Sequence, residues 1–137
     1  MRKIDVNEVT AAIKDMCIQV CHFLSPDMED RIKEACDTEE SPLGKQILGQ
    51  LEENLRIAGE EMIPICQDTG MAVVFIEIGQ DVHFFGGDLT DAVNEGVRQG
   101  YTEGFLRKSV VDDQKKKKNT GDNTPAVIHE EIVPGEN

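Results

Sequence analysis

The sequence predicts an α+β fold: an N-terminal helical layer, then a mixed α/β part that is incomplete at the C-terminus. Three observations predict it. Apolar residues recur at spacings of three and four through residues 1–60, the period of one helix face. After Gly59 the character changes to a Pro- and Gly-bounded loop followed by a β-branched run. The chain then ends on Pro134-Gly135-Glu136-Asn137, a turn and not a finished element, so we expect it to stop partway through a larger fold.

The first helix is expected from Val6 to Leu24, where Val6, Val9, Ile13, Met16, Cys17, Val20, Cys21 and Leu24 share a face. Ser25-Pro26-Asp27 breaks it and starts a second, short helix to about Cys36, because proline suits a first helical turn and Ser or Asp can cap it. Asp37 to Glu40 reads as a polar link. Ser41-Pro42 repeats the start signal, and Leu43, Ile47, Leu48, Leu51, Leu55 and Ala58 mark a third helix ending near Gly59. Residues 61–137 form the mixed segment. Met62 to Gly70 is a loop leading into a strand over Ala72–Ile78, and Gly79-Gln80-Asp81 is expected to turn into a partner strand, Val82–Phe85. Gly86-Gly87-Asp88-Leu89 opens a helix to about Gly100. The cation run Lys115 to Lys118 and the turn-forming Asn119–Pro125 are expected to be loop, and Ala126–Val133 has mixed β character.

Charge narrows the function. With 14 Lys and Arg against 27 Asp and Glu, the formal net charge is −13. That opposes binding to nucleic acid or an anionic membrane, so neither is an expected partner. An anionic ligand would need local positive charge from Arg, Lys, a metal or backbone N–H groups. No stretch approaches ~18 consecutive apolar residues and the N-terminus has no export signal, so a cytoplasmic location is expected. The four cysteines, Cys17, Cys21, Cys36 and Cys66, then read as thiols or metal ligands before disulfides.

Cys66 stands out because Gln67, Asp68 and Thr69 follow it, so a thiol, an amide, a carboxylate and a hydroxyl converge in a loop before a strand. A lone cysteine is no metal motif, and a buried structural cysteine among turn formers accounts for the spacing equally well. Asp68 can likewise be read as an Asx-turn residue, and Arg107 as a solvated surface cation. Cys17 and Cys21, four apart on a helix, are better read as core residues than ligands, and His22, His83 and His129 as packed or surface histidines. A zinc module built on Cys17, Cys21 and Cys36 is a weaker alternative.

The segment Pro64-Ile65-Cys66-Gln67-Asp68-Thr69-Gly70 resembles the signature of class I iron-sulfur fumarases and L-tartrate dehydratases. Gly100-Tyr101 through Leu106-Arg107-Lys108-Ser109, and Asn119–Ala126 continuing to Val133-Pro134-Gly135, look like further blocks of the family in the same order. The resemblance implies the N-terminal part of the α chain of such a hydro-lyase, adding water to fumarate to give (S)-malate, or dehydrating L-tartrate. It implies a [4Fe-4S] cluster with one open iron, for which Cys66 matches the first of three cysteine ligands. The other two are expected beyond Asn137, since Cys17, Cys21 and Cys36 precede the signature. By the same resemblance Gln67 and Asp68 lie beside the substrate, Asp68 exchanges a proton with the departing or attacking oxygen, and Arg107 pairs with a substrate carboxylate. The implied partners are a C4 dicarboxylate or hydroxy-dicarboxylate, a β subunit or β domain, and further copies in an oligomer. The chain alone is expected to be inactive. An alternative is a noncatalytic module that assembles with other chains and binds no iron.

Overall fold

Start signals in the sequence translate directly into helix geometry. The computed structural model describes residues 1–113, 115 and 117–136; Gln114, Lys116 and Asn137 lie outside the described residues, with the parts of the cation run and terminal turn that fall on them. Helix α1 spans Val6–His22, α2 spans Pro26–Thr38 and α3 spans Pro42–Glu61. Both Pro26 and Pro42 occupy the first turn, where a missing N–H costs nothing. Ser41 caps α3 by accepting from the Gly44 N–H at 3.3 Å. Ser25 caps α2 through its carbonyl, which accepts from the Met28 and Glu29 amides at 3.0 and 3.1 Å. Helix α4 spans Leu89–Glu103, with Asp88 accepting from the Asp91 N–H at 3.0 Å.

The fold is α+β, as the periodicities predict, and its strands form small pairs. Strand β1 (Arg2–Asp5) runs parallel to β3 (Val82–Phe85), β2 (Val73–Gly79) runs parallel to β6 (Val127–Val133), and β4 (Val111–Asp113) is antiparallel to β5 (Lys118–Asn119). Two expectations are corrected here. Gly79-Gln80-Asp81 does not close a β2–β3 hairpin. The amides of Gln80 and Asp81 donate instead to Val133 and Gly135 carbonyls at 2.8 and 2.9 Å, and Asp81 accepts from the Arg2 amide at 3.1 Å. The backbone groups that a hairpin would pair are thus already used by β6 and β1, so the chain changes partner without reversing. The cation run is also not loop throughout, since Lys118 in β5 pairs with Asp113 in β4.

Two helices run further than their glycines suggested. Helix α3 continues past Gly59 to Glu61, and its left-handed cap is Met62 at φ 52°, with the Met62 amide donating to the Ala58 carbonyl. Helix α4 continues past Gly100 to Glu103. In both cases the glycine serves close approach and not termination: a Cβ on Gly59 would stand 3.0 Å from the Phe23 ring, and one on Gly100 would stand 2.8 Å from Cys17 Cβ.

The chain divides into two compact units. One comprises Met1–Ile18 and Asp68–Asn137 and holds every strand, the start of α1 and α4. Its core is the seam between those helices. Gly96 and Gly100 in α4 and its C-cap Gly104 recur every fourth residue, and Ile13, Cys17 and Ile18 lie against them so closely that a Cβ at Gly96 would be 2.7 Å from Ile13 Cβ. Val93 and Val97 are fully buried beside this seam. The other unit, Gln19–Gln67, contains the end of α1, α2, α3 and the loop to Gln67. Its buried residues include His22 and Ala58.

Candidate functional site

The loop that carries Cys66 is anchored one residue earlier. The Ile65 amide donates to the Cys21 carbonyl at 2.8 Å, and the Ile65 carbonyl accepts from Asn54 Nδ2 at 3.0 Å. With both polar groups of Ile65 satisfied, the chain presents Cys66 and then Gln67 as exposed residues. These two end one unit, and Asp68 begins the second segment of the other.

In that second unit, Asp68 is exposed and its Oδ1 accepts from the Gly70 amide at 3.2 Å, an Asx turn that gives the loop its shape. Thr69 then joins this loop to the one carrying Arg107. Its Oγ1 donates to the Arg107 carbonyl at 2.9 Å, and its own carbonyl accepts from Tyr101 Oη at 3.1 Å. Arg107 is exposed, and Lys108 follows it, so this edge carries the local positive charge that a chain of net charge −13 needs before it can hold an anion.

Behind these two loops lies the segment expected only as turn. Asn123 is fully buried at φ 64°. Its Oδ1 accepts from the amides of Ser109 and Val110 at 2.6 and 3.0 Å, while its Nδ2 donates to the Gly70 carbonyl at 3.1 Å. Asn119 Nδ2 donates to the Lys108 carbonyl at 2.7 Å. Asp122 accepts from the Thr124 hydroxyl at 2.7 Å and from Arg98 Nε at 3.1 Å, which ties the segment to α4. Those bonds, the Thr124 hydroxyl foremost, hold the Asp122 carboxyl down at about 2. The Ser109 hydroxyl oxygen is buried with no hydrogen-bond partner among the described residues.

Comparison with known proteins assigns the chain to a family. The family model described as fumarate hydratase (Fumerase) matches residues 10–137. The chain belongs to the fumarate hydratase family. Its similarity to individual relatives is modest but extended. It is 29% identical over 124 residues to a Methanocaldococcus jannaschii protein provisionally named L(+)-tartrate dehydratase subunit alpha, covering 88% of this chain and 44% of that one. It is 29% identical over 132 residues to the L(+)-tartrate dehydratase subunit alpha of Escherichia coli strain UTI89, covering 94% of this chain and 43% of the relative, and 28% identical over the same length to that of strain K12. The chain spans less than half the length of the curated relatives it matches.

The donors available for a metal group in this fumarate hydratase family chain are limited. Cys66 is exposed on its anchored loop. Among the described residues no three His, Cys, Asp or Glu side chains come together as a ligand set. Burial pushes the Cys21 thiol up, and burial followed by Glu52 pushes the Cys36 thiol up. His83 and His129 are exposed in β3 and β6, and His22 is buried at the end of α1. Among the described residues no helix is long and apolar enough to cross a membrane.

Sequence reasoning named Thr69 among the converging groups and Tyr101 and Asn119–Ala126 within blocks resembling the family, but it missed the bonds that Thr69, Tyr101, Asn119, Asp122 and Asn123 make. The density of Asn, Asp and Thr in Asn119–Thr124 is a signal of side chains that bond backbone groups. It does not say which backbone groups they reach.

Proposed function

We propose that this chain is the N-terminal part of the α component of a hydro-lyase that adds water reversibly to the double bond of a C4 dicarboxylate, with fumarate and (S)-malate as the first substrate pair. The observation that carries the reading is the Thr69–Arg107 tie, which brings the Asp68 loop and the Arg107 loop together in a chain of the fumarate hydratase family. Hydration places hydroxyl on one carbon and a proton on its neighbour, so a site must hold the carboxylates and move protons at two positions. Arg107 holds one carboxylate through its guanidinium fork. Gln67 offers an amide donor and acceptor to the substrate, and Asp68 exchanges a proton with the hydroxyl oxygen. A [4Fe-4S] cluster, when bound, supplies Lewis acidity that makes hydroxide a better leaving group, and Cys66 would hold one of its irons. Its other two cysteine ligands, and the groups that complete substrate binding, come from outside these residues, including a β subunit or β domain. The assembly is an oligomer located in the cytoplasm.

A second reading is favoured by the relatives' names: L(+)-tartrate as the substrate, dehydrated by the same groups. The test is anaerobic reconstitution with iron and sulfide, for this chain alone and with the remaining α segment and a β chain supplied. Iron content is measured together with turnover of fumarate, malate and tartrate. The assembled mixture is expected to bind iron and turn over one of these acids, the chain alone is expected to be inactive, and Cys66→Ala is expected to abolish both iron and activity. Full activity and unchanged iron in Cys66→Ala would remove the ligand assignment. An assembly that takes up no iron and turns over none of these acids, with Cys66→Ala behaving as wild type, would favour a noncatalytic module.

A further inference from the structure

We infer that Asn123 is the positioning residue of this site, fixing the loop that bears Asp68 against the loop that bears Arg107; the inference rests on the hydro-lyase reading above. Asp68 and Arg107 are both exposed, so their separation is set mainly by the backbone that carries them. Asn123 touches that backbone on both sides. Its Oδ1 takes the amides of Ser109 and Val110, directly after Arg107 and Lys108, and its Nδ2 takes the Gly70 carbonyl, two residues after Asp68.

A carboxamide suits this place because it offers an acceptor and a donor in one rigid plane; a carboxylate lacks the donor and a hydroxyl lacks the span. The backbone adds a second restriction. At φ 64° the residue sits in the left-handed region, which asparagine tolerates and which most side chains avoid. With no exposed surface, Asn123 cannot contact a substrate itself, so its influence must pass through the two loops. Hydration needs a carboxylate held at one end of the substrate while a proton moves at the other. A misplacement of 1 Å between those ends costs on the order of a hundredfold in rate.

Two substitutions separate the contributions. Asn123→Asp keeps an acceptor for Ser109 and Val110 but sets an oxygen against the Gly70 carbonyl, breaking the tie between loops. Asn123→Gly accepts the backbone conformation and removes all three bonds. The test uses the assembled, anaerobically prepared enzyme that carries this chain, assayed well below each variant's unfolding midpoint with the folded fraction measured. Both variants are expected to lower kcat per folded molecule at least about tenfold while KM stays within about threefold. Hydrogen exchange at Ser109 and Val110 is expected to stay slow in Asn123→Asp and to become fast in Asn123→Gly. Unchanged kcat per folded molecule, with only the unfolding midpoint lowered or only KM raised, would overturn the positioning role and leave Asn123 a stabilising residue. A wild-type enzyme inactive on fumarate, malate and tartrate would fail the hydro-lyase reading first, and the positioning role with it.

Discussion

Helices α4 and α3 are both amphipathic, yet they use their apolar residues differently. Helix α4 buries Ala92, Val93, Gly96, Val97, Gly100 and Tyr101, whereas α3 buries only Ala58 and leaves Leu43, Ile47 and Leu51 at 65%, 49% and 46% exposure. The comparison teaches that a 3.6-residue period specifies which face of a helix wants cover but not whether cover is present within the same unit. It also teaches that glycine has opposite meanings in the two helices. Gly96 lies in the seam with α1, while Gly49 of α3 has nothing within 4 Å of where a Cβ would go.

The sharpest way to break this comparison is to make the same substitution in both helices. Gly96→Ala puts a methyl carbon 2.7 Å from Ile13 Cβ and from the Thr10 carbonyl, neither of which can swing aside, and is expected to cost about 3 kcal/mol in chemical denaturation. Next in size, Val93→Ala empties part of the same seam and is expected to cost about 2 kcal/mol. Gly49→Ala should instead stabilise, by about 0.5–1 kcal/mol, because it removes backbone entropy from the unfolded chain and meets no neighbour. Equal effects at Gly96 and Gly49 would mean that the α1–α4 seam is not tight.

Smaller effects sharpen the picture. Leu51→Gln is expected to change stability by less than about 0.5 kcal/mol, and a larger loss would show that this face of α3 is covered in solution. A pH-dependent effect concerns the link from the Asn119–Pro125 segment to α4. Asp122, held at about 2 mainly by the Thr124 hydroxyl and further by Arg98, stabilises the fold above its unfolded carboxyl value and loses that contribution as pH falls through about 2. The stability difference between wild type and Asp122→Asn should therefore be constant above about pH 5 and close progressively toward pH 2, as followed by urea denaturation across that range.

Much of the secondary structure was legible because its signals are local. Ser-Pro starts, periodic apolar faces and a β-branched run act within a few residues, so α1, α2, α3, β2 and α4 lie close to where the sequence places them. Strand pairing was not legible. The parallel partners of β2 and β3 come from Val127–Val133 and Arg2–Asp5, and the competition for the amides of Gln80 and Asp81 is decided by chain segments far away in sequence. The site divides the same way. The residue types in Cys66-Gln67-Asp68-Thr69-Gly70 and at Arg107 could be singled out from the chain alone. The joining of their loops could not, because it runs through Thr69, Tyr101 and Asn123, whose partners lie 38, 32 and 53 residues away.

What the sequence determined by itself was therefore the class of fold, the start of each helix, the acidic character that demands a local cation, and the chemistry-bearing residue types. What only the tertiary structure decided was the role of each glycine, the partner of each strand and the bonding of the turn segment. Local preferences depend on a residue and its near neighbours, which the sequence displays. A glycine that admits a neighbouring helix, or an asparagine that clamps two loops, has its meaning set by atoms brought to it by folding.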